Sequence, residues 1–163
     1  LLDDMTVSLS VLFKGLRLIS AANVIAYERS TTDSLDEFRR KRRIACRAFN
    51  THRHLWPQIA QTLPAIDIYK YGAHKLLRWF GAPVLLTGIM ALTAALIASG
   101  HDLWVSVLWT IGAVALALGR IARIRPFSTA TEILFSITAT FIGIIDSLRG
   151  RTYQTWAPAK SRD

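Results

Sequence analysis

The sequence predicts a mixed architecture in which a helix and two short strands are followed by interfacial helices and an α-helical membrane region. Three observations predict it. Two short runs rich in Leu, Ile and Val, residues 16–20 and 23–27, are bounded by small residues as buried strands tend to be. A dense cationic stretch follows, Arg39-Arg40-Lys41-Arg42-Arg43. The run from Trp79 to Gly100 then holds no charged residue, and 80–99 as a helix would span roughly 30 Å, the thickness of a bilayer's hydrocarbon core.

Taken in order, residues 3–14 read as a helix with Val7, Val11 and Leu12 on one side, stopped by Gly15. The two strands come next, then a polar loop, Ser30-Thr31-Thr32-Asp33-Ser34. Ser34 with Glu37 forms a capping-box pattern, so a second helix starts there and carries Phe38 through about Asn50. Residues 56–71, with Pro57, Pro64 and the aromatic Trp56, Tyr69 and Tyr71, read as an interfacial amphipathic stretch leading into the first span. The second span covers 103 to about 122, with Arg120 and Arg123 able to snorkel to the interface. Gly100-His101-Asp102 makes the turn between the spans and faces away from the cytoplasm.

The third apolar segment, 127–148, carries Glu132, Asp146 and several Ser and Thr. Crossing the membrane and lying in its interface both fit this composition. The positive-inside rule favours the interface, because Arg120, Arg123 and Arg125 precede the segment and Arg149, Arg151, Lys160 and Arg162 follow it.

Charge is regional. Thirteen of the 20 Lys and Arg fall in residues 1–78, and none stands between Arg78 and Arg120. Cations that abut apolar segments in this way belong to a membrane protein's inside face, so nucleic acid is set aside as a partner and the lipid bilayer is retained. A single cysteine, Cys46, excludes an internal disulfide. The opening Leu1-Leu2-Asp3 carries no signal-peptide pattern, and the chain is expected to be a segment of something longer.

Two clusters could carry chemistry. Asp3 and Asp4 head the first helix, where the dipole favours anions; the pair serves either as helix capping or as a general base aimed from a firm element. The arginine run is either a solvated or headgroup-facing surface or a recognition site for diphosphate, for which Arg supplies a bidentate fork. Arg39, Arg43 and Arg47 share one helix face. His52 and His54 have no third ligand nearby, so a metal site there is not expected. Glu132 and Asp146, fourteen apart, lie near one face of the third segment.

The order of these elements resembles a known family. Asp3-Asp4-Met5 and its helix, Lys14-Gly15-Leu16-Arg17, and the stretch Ala22-Asn23-Val24-Ile25-Ala26-Tyr27-Glu28 look like the end of the catalytic domain in membrane-bound family 2 glycosyltransferases, the cellulose- and hyaluronan-synthase-like enzymes. The next helix in that family often bears Q-x-x-R-W. Here the corresponding stretch is Arg40-Lys41-Arg42-Arg43-Ile44, in which Arg43 matches the arginine while Arg40 and Ile44 replace the glutamine and tryptophan. His74-Lys75-Leu76-Leu77-Arg78-Trp79 resembles the entry to the C-terminal membrane helices, and Arg149-Gly150-Arg151 to Trp156 the tail.

The resemblance implies a division of the chain: 1–30 closing a Rossmann-like (glycosyltransferase A) α/β domain, 31–79 forming basic acceptor-side and interfacial helices, 80–148 the membrane helices, and 149–163 a basic cytoplasmic tail. It implies an inverting transferase that moves a sugar from a nucleotide-sugar donor to a carbohydrate or lipid-linked acceptor. Asp4 would be the base, with Asp3 beside it, and Arg40, Lys41 and Arg43 would bind substrate. A divalent metal, Mg or Mn, would be held by upstream residues outside this chain, so the segment alone would be inactive. The place implied is the bacterial inner membrane, with the catalytic part cytoplasmic. The competing reading is a non-enzymatic membrane scaffold or transporter subunit whose basic segment binds lipid.

Overall fold

The computed structural model describes residues 2–19, 23–25 and 34–153. Among these described residues six helices run in order: α1 (Asp3–Phe13), α2 (Ser34–Thr62), α3 (Ala65–Trp79), α4 (Gly81–Ala98), α5 (Asp102–Arg120) and α6 (Phe127–Leu148). Helix accounts for 81% of the described residues and no strand forms among them, which overturns the expected α/β ending: among the described residues no Rossmann-like domain is present.

The reason lies in what the two apolar runs meet. Residues 16–19 and 23–25 are irregular and exposed, Ile19 at 87% and Val24 at 74%. Strand preference expresses packing on a half-buried sheet, and these residues have no neighbouring strand to pair with among those described. Ser20, Ala26 and Tyr27, with most of the expected loop and Trp156, lie outside the described residues.

The chain divides into two compact units, one of residues 1–79 with 139–163 and the other of residues 80–138. The first is built on α2. Met5 and Leu9 of α1, one helical turn apart, join Ala48, Phe49 and Ile59 of α2, Trp79 of α3 and Ile144 of α6 in one apolar cluster. The buried side of α1 is therefore Met5 and Leu9, with Leu12 packed against the cluster, whereas Val7 is 64% exposed. Gly15, at φ +72°, ends the helix as anticipated.

Helix α2 runs twelve residues beyond the expected end near Asn50, straight through Pro57. A proline inside a helix forfeits one backbone hydrogen bond and costs about 3 kcal/mol. Burial offsets that cost here, because Ile59, just past the proline, is fully buried in the core cluster. Pro64 then opens α3, its carbonyl accepting the N–H of Asp67 at 2.9 Å and of Ile68 at 3.1 Å. The stretch expected to be one interfacial element is thus split between two packed helices.

In the second unit α4 and α5 are joined by a turn at Gly100, whose φ is +72°. The 18-residue α4 buries nothing and exposes Val84, Leu86, Met90 and Ile97, the pattern of a helix solvated by lipid. The end of α5 meets the start of α6 closely: a Cβ on Gly119 would collide with the Phe127 carbonyl and the Thr131 hydroxyl. Among the described residues three helices, α4, α5 and α6, are long and apolar enough to cross a membrane, which fits an integral membrane protein.

Candidate functional site

The polar chemistry of the first unit is organised by two faces of α2. Positions four apart lie on one side of a helix. Arg43 and Arg47 therefore share one face, and Arg42, Cys46 and Asn50 share another, about 100° around.

On the first face α1 lies against α2. The buried Thr51 hydroxyl accepts the backbone N–H of Leu2 at 2.7 Å and donates to the Arg47 carbonyl at 3.0 Å, which pins the head of α1 to this turn. Asp3 reaches Arg47 at 3.8 Å with its own side chain 92% exposed. Asp4 is also exposed, and its carboxylate accepts the N–H of Met5 at 2.8 Å. Arg40 engages Glu37 at 3.0 Å and Lys41 reaches the same carboxylate at 3.5 Å. Arg39 pairs with Asp36 at 3.3 Å. Burial, with Arg47 and Arg40 nearby, pushes the Arg43 guanidinium below its ordinary pKa. The structure thus brings the acidic pair to the arginine-bearing helix through Asp3 and Arg47, while Arg40 and Lys41 share the carboxylate of Glu37.

The second face holds the end of α6. Asp146, 1% exposed, receives the Arg42 guanidinium through two hydrogen bonds, at 2.5 and 3.0 Å. The Tyr153 hydroxyl donates to it at 2.8 Å, and Arg151 stands 3.6 Å away. Around this pair Ser147 donates to Asn50 at 2.6 Å, and Asn50 and Cys46 both donate to the Arg151 carbonyl, at 3.1 and 3.3 Å. Arg53 donates to the Ser147 carbonyl at 3.4 Å. Helix α6 closes with Gly150 at φ +78° and paired bonds from the N–H of Arg151 to the Asp146 carbonyl and of Gly150 to the Ser147 carbonyl, a Schellman end. Burial, then the bond to Asp146, pushes the Tyr153 phenol up, and burial pushes the Cys46 thiol up.

On this face Arg42 and Arg53 are both engaged with α6. The contact is close because Gly143 carries no side chain: a Cβ there would strike the Arg42 carbonyl and lie 2.9 Å from the Ala45 Cβ. The sequence singled out Asp146 but could not supply its partner, 104 residues away. The available signal was the charge itself, since a carboxylate in an apolar helix requires a counter-ion.

A third cluster ties α2 to α3. The His52 ring meets Trp79 at 5.2 Å, Trp56 at 5.2 Å and Tyr71 at 5.7 Å between centroids, and its Nδ1 lies 2.9 Å from the Tyr71 hydroxyl. Burial lowers the His52 pKa and pushes Tyr71 up to about 12, so both are neutral near pH 7 and one proton lies between them. Because the folded state disfavours charged His52, its contribution to stability is full above the ordinary pKa of 6.5 and is lost as pH falls through the lowered folded value. Melting followed by tryptophan fluorescence is therefore expected to drop more between pH 7.5 and 5 in the wild type than in His52→Gln. Equal drops would remove His52 as the cause.

Among the described residues no group of three or more His, Cys, Asp or Glu is placed to hold a metal ion. Comparison of the chain with known protein families, with curated proteins and with solved structures finds no match.

Proposed function

We propose that this chain is the membrane-anchored, C-terminal portion of an inverting family 2-like glycosyltransferase of the bacterial inner membrane, its site on the cytoplasmic side. The observation that carries the reading is the packing of α1 on α2, which sets the acidic pair Asp3-Asp4 beside an arginine-bearing helix with Asp3 3.8 Å from Arg47. Base and diphosphate-binding groups must stand on opposite sides of one reacting carbon, and this reading assigns the base to α1 and the diphosphate-binding groups to α2. The order of motifs along the chain supports the same reading.

In this reaction the acceptor hydroxyl gives its proton to the Asp4 carboxylate as its oxygen forms a bond to the anomeric carbon of the donor sugar. The bond from that carbon to the diphosphate breaks on the opposite face, and the nucleoside diphosphate leaves with the electron pair. Arg43, with Arg40 and Lys41, stabilises the departing charge, where a guanidinium offers a planar fork to phosphate oxygens.

The test uses the longer protein this reading implies, purified in detergent and supplied with nucleotide sugars and membrane lipid extract. Release of nucleoside diphosphate is expected, with Arg43→Ala depressing it at every salt concentration and Arg39→Ala leaving it near wild type. Absence of transfer with every donor, together with salt-sensitive binding to anionic vesicles lost equally in both variants, would instead make the chain a lipid-binding membrane scaffold.

A further inference from the structure

The contacts of α6 decide a question of topology that composition leaves open. We propose that α6 does not cross the membrane: the chain crosses twice, through α4 and α5, and α6 brings residues 149–153 back to the face that holds α1 and α2.

The first step is that α2 lies outside the hydrocarbon. It carries nine charged side chains within 29 residues, and each Arg, Lys or Asp at the centre of a bilayer costs about 2.5–3.5 kcal/mol even on the most lenient scale. The second step is parity. Trp79, two residues before α4, is buried in the same apolar cluster as Phe49 of α2, so α4 leaves from the face on which α2 sits. Passing out through α4 and back through α5 returns the chain to that face. A third crossing would carry Asp146 to the far side, about 30 Å from any group on α2. Asp146 instead bonds Arg42 at 2.5 Å, Ser147 bonds Asn50, and Ile144 lies in the cluster with Met5 and Leu9.

Length gives the same answer. The second half of α6, from Ala139, belongs to the unit built on α2, so only the twelve residues 127–138 remain for lipid. At 1.5 Å per residue these reach about 18 Å, against a hydrocarbon core of about 30 Å. The 18 residues of α4 reach about 27 Å. Polarity fits as well: Glu132 is exposed on that half of α6, a carboxylate that the interface tolerates and that is costly in the hydrocarbon. Arg120, Arg123 and Arg125 before the helix and Arg149 and Arg151 after it then share one face, as the bias of basic residues prefers. The exposed Ile133 and Phe135 meet the boundary between headgroups and acyl chains.

This topology does not depend on the transferase reading. Single cysteines at Arg39, His101 and Arg149, all exposed positions, are introduced in a Cys46→Ser background and probed with a membrane-impermeant maleimide in sealed vesicles of both orientations. Positions 39 and 149 are expected to label in the same orientation and position 101 in the opposite one. Should the thiol-free background fold poorly, trypsin cleavage of the unsubstituted chain replaces labelling, and cuts after Arg39 and Arg149 are expected in the same vesicle orientation. Labelling or cleavage at 149 in the orientation that exposes His101 would overturn the proposal.

Discussion

Asp4→Asn in the longer protein is expected to lower sugar transfer by roughly a hundredfold to ten-thousandfold, the usual contribution of a positioned general base, while nucleotide-sugar binding stays near wild type. The amide keeps the shape and the hydrogen-bond acceptor that meets the Met5 N–H, so α1 is not unsettled by the change. What it loses is the ability to take a proton from the acceptor hydroxyl. Asp3→Asn serves as the comparison. Asp3 is 92% exposed and touches Arg47 only at 3.8 Å, and exposed ion pairs of this kind contribute little. Its transfer rate is expected to fall only slightly. Rates for transfer and constants for donor binding, measured side by side, decide the matter: equal behaviour of the two variants, or retained activity in Asp4→Asn, removes Asp4 as the base.

The second large effect belongs to the pair that joins α2 to α6. Arg42→Ala strands a carboxylate that is 1% exposed, and removing one partner of a buried ion pair costs about 3–5 kcal/mol. The lower end of that range is expected, because Tyr153 and Arg151 still contact Asp146 and Arg42 itself is one-third exposed. Replacing both members by apolar residues, Arg42→Met with Asp146→Leu, is expected to recover most of the loss, since no unpaired charge is left behind. Thermal unfolding of the wild type and the two variants in detergent reads this out. A double variant no more stable than Arg42→Ala would mean that the pair supplies attraction rather than mutual neutralisation.

How much of this could be read from the sequence differs by element. Helices α4 and α5 were legible because a charge-free run of bilayer length has few other interpretations. The start of α2 at Ser34 followed from its local pattern, but its end did not: Pro57 reads as a breaker, and only the core around Ile59 explains why the helix continues. Residues 16–19 and 23–25 misled because β-branched and aliphatic runs report a preference for burial, which a strand satisfies only when a neighbour pairs with it. At the site, Asp3, Asp4 and the arginines were visible as residue types. The division of labour between Arg43 and Arg42, one turned toward substrate in the proposed reaction and the other toward Asp146, was not. It depends on which helix approaches which face, information carried by contacts roughly a hundred residues apart.

The lone thiol of Cys46 provides a gauge for the seam it lies in. It is fully buried, its pKa is raised mainly by burial, and its hydrogen donates to the Arg151 carbonyl. Thiol chemistry proceeds through the thiolate at an accessible sulfur, and here both requirements are unmet as long as the end of α6 stays seated on α2. Alkylation of Cys46 in the unsubstituted chain therefore clocks how often that seam parts. Substitutions at Gly143 or Asp146 that loosen it become measurable as faster modification of a single native atom, without labels and without any assay of activity.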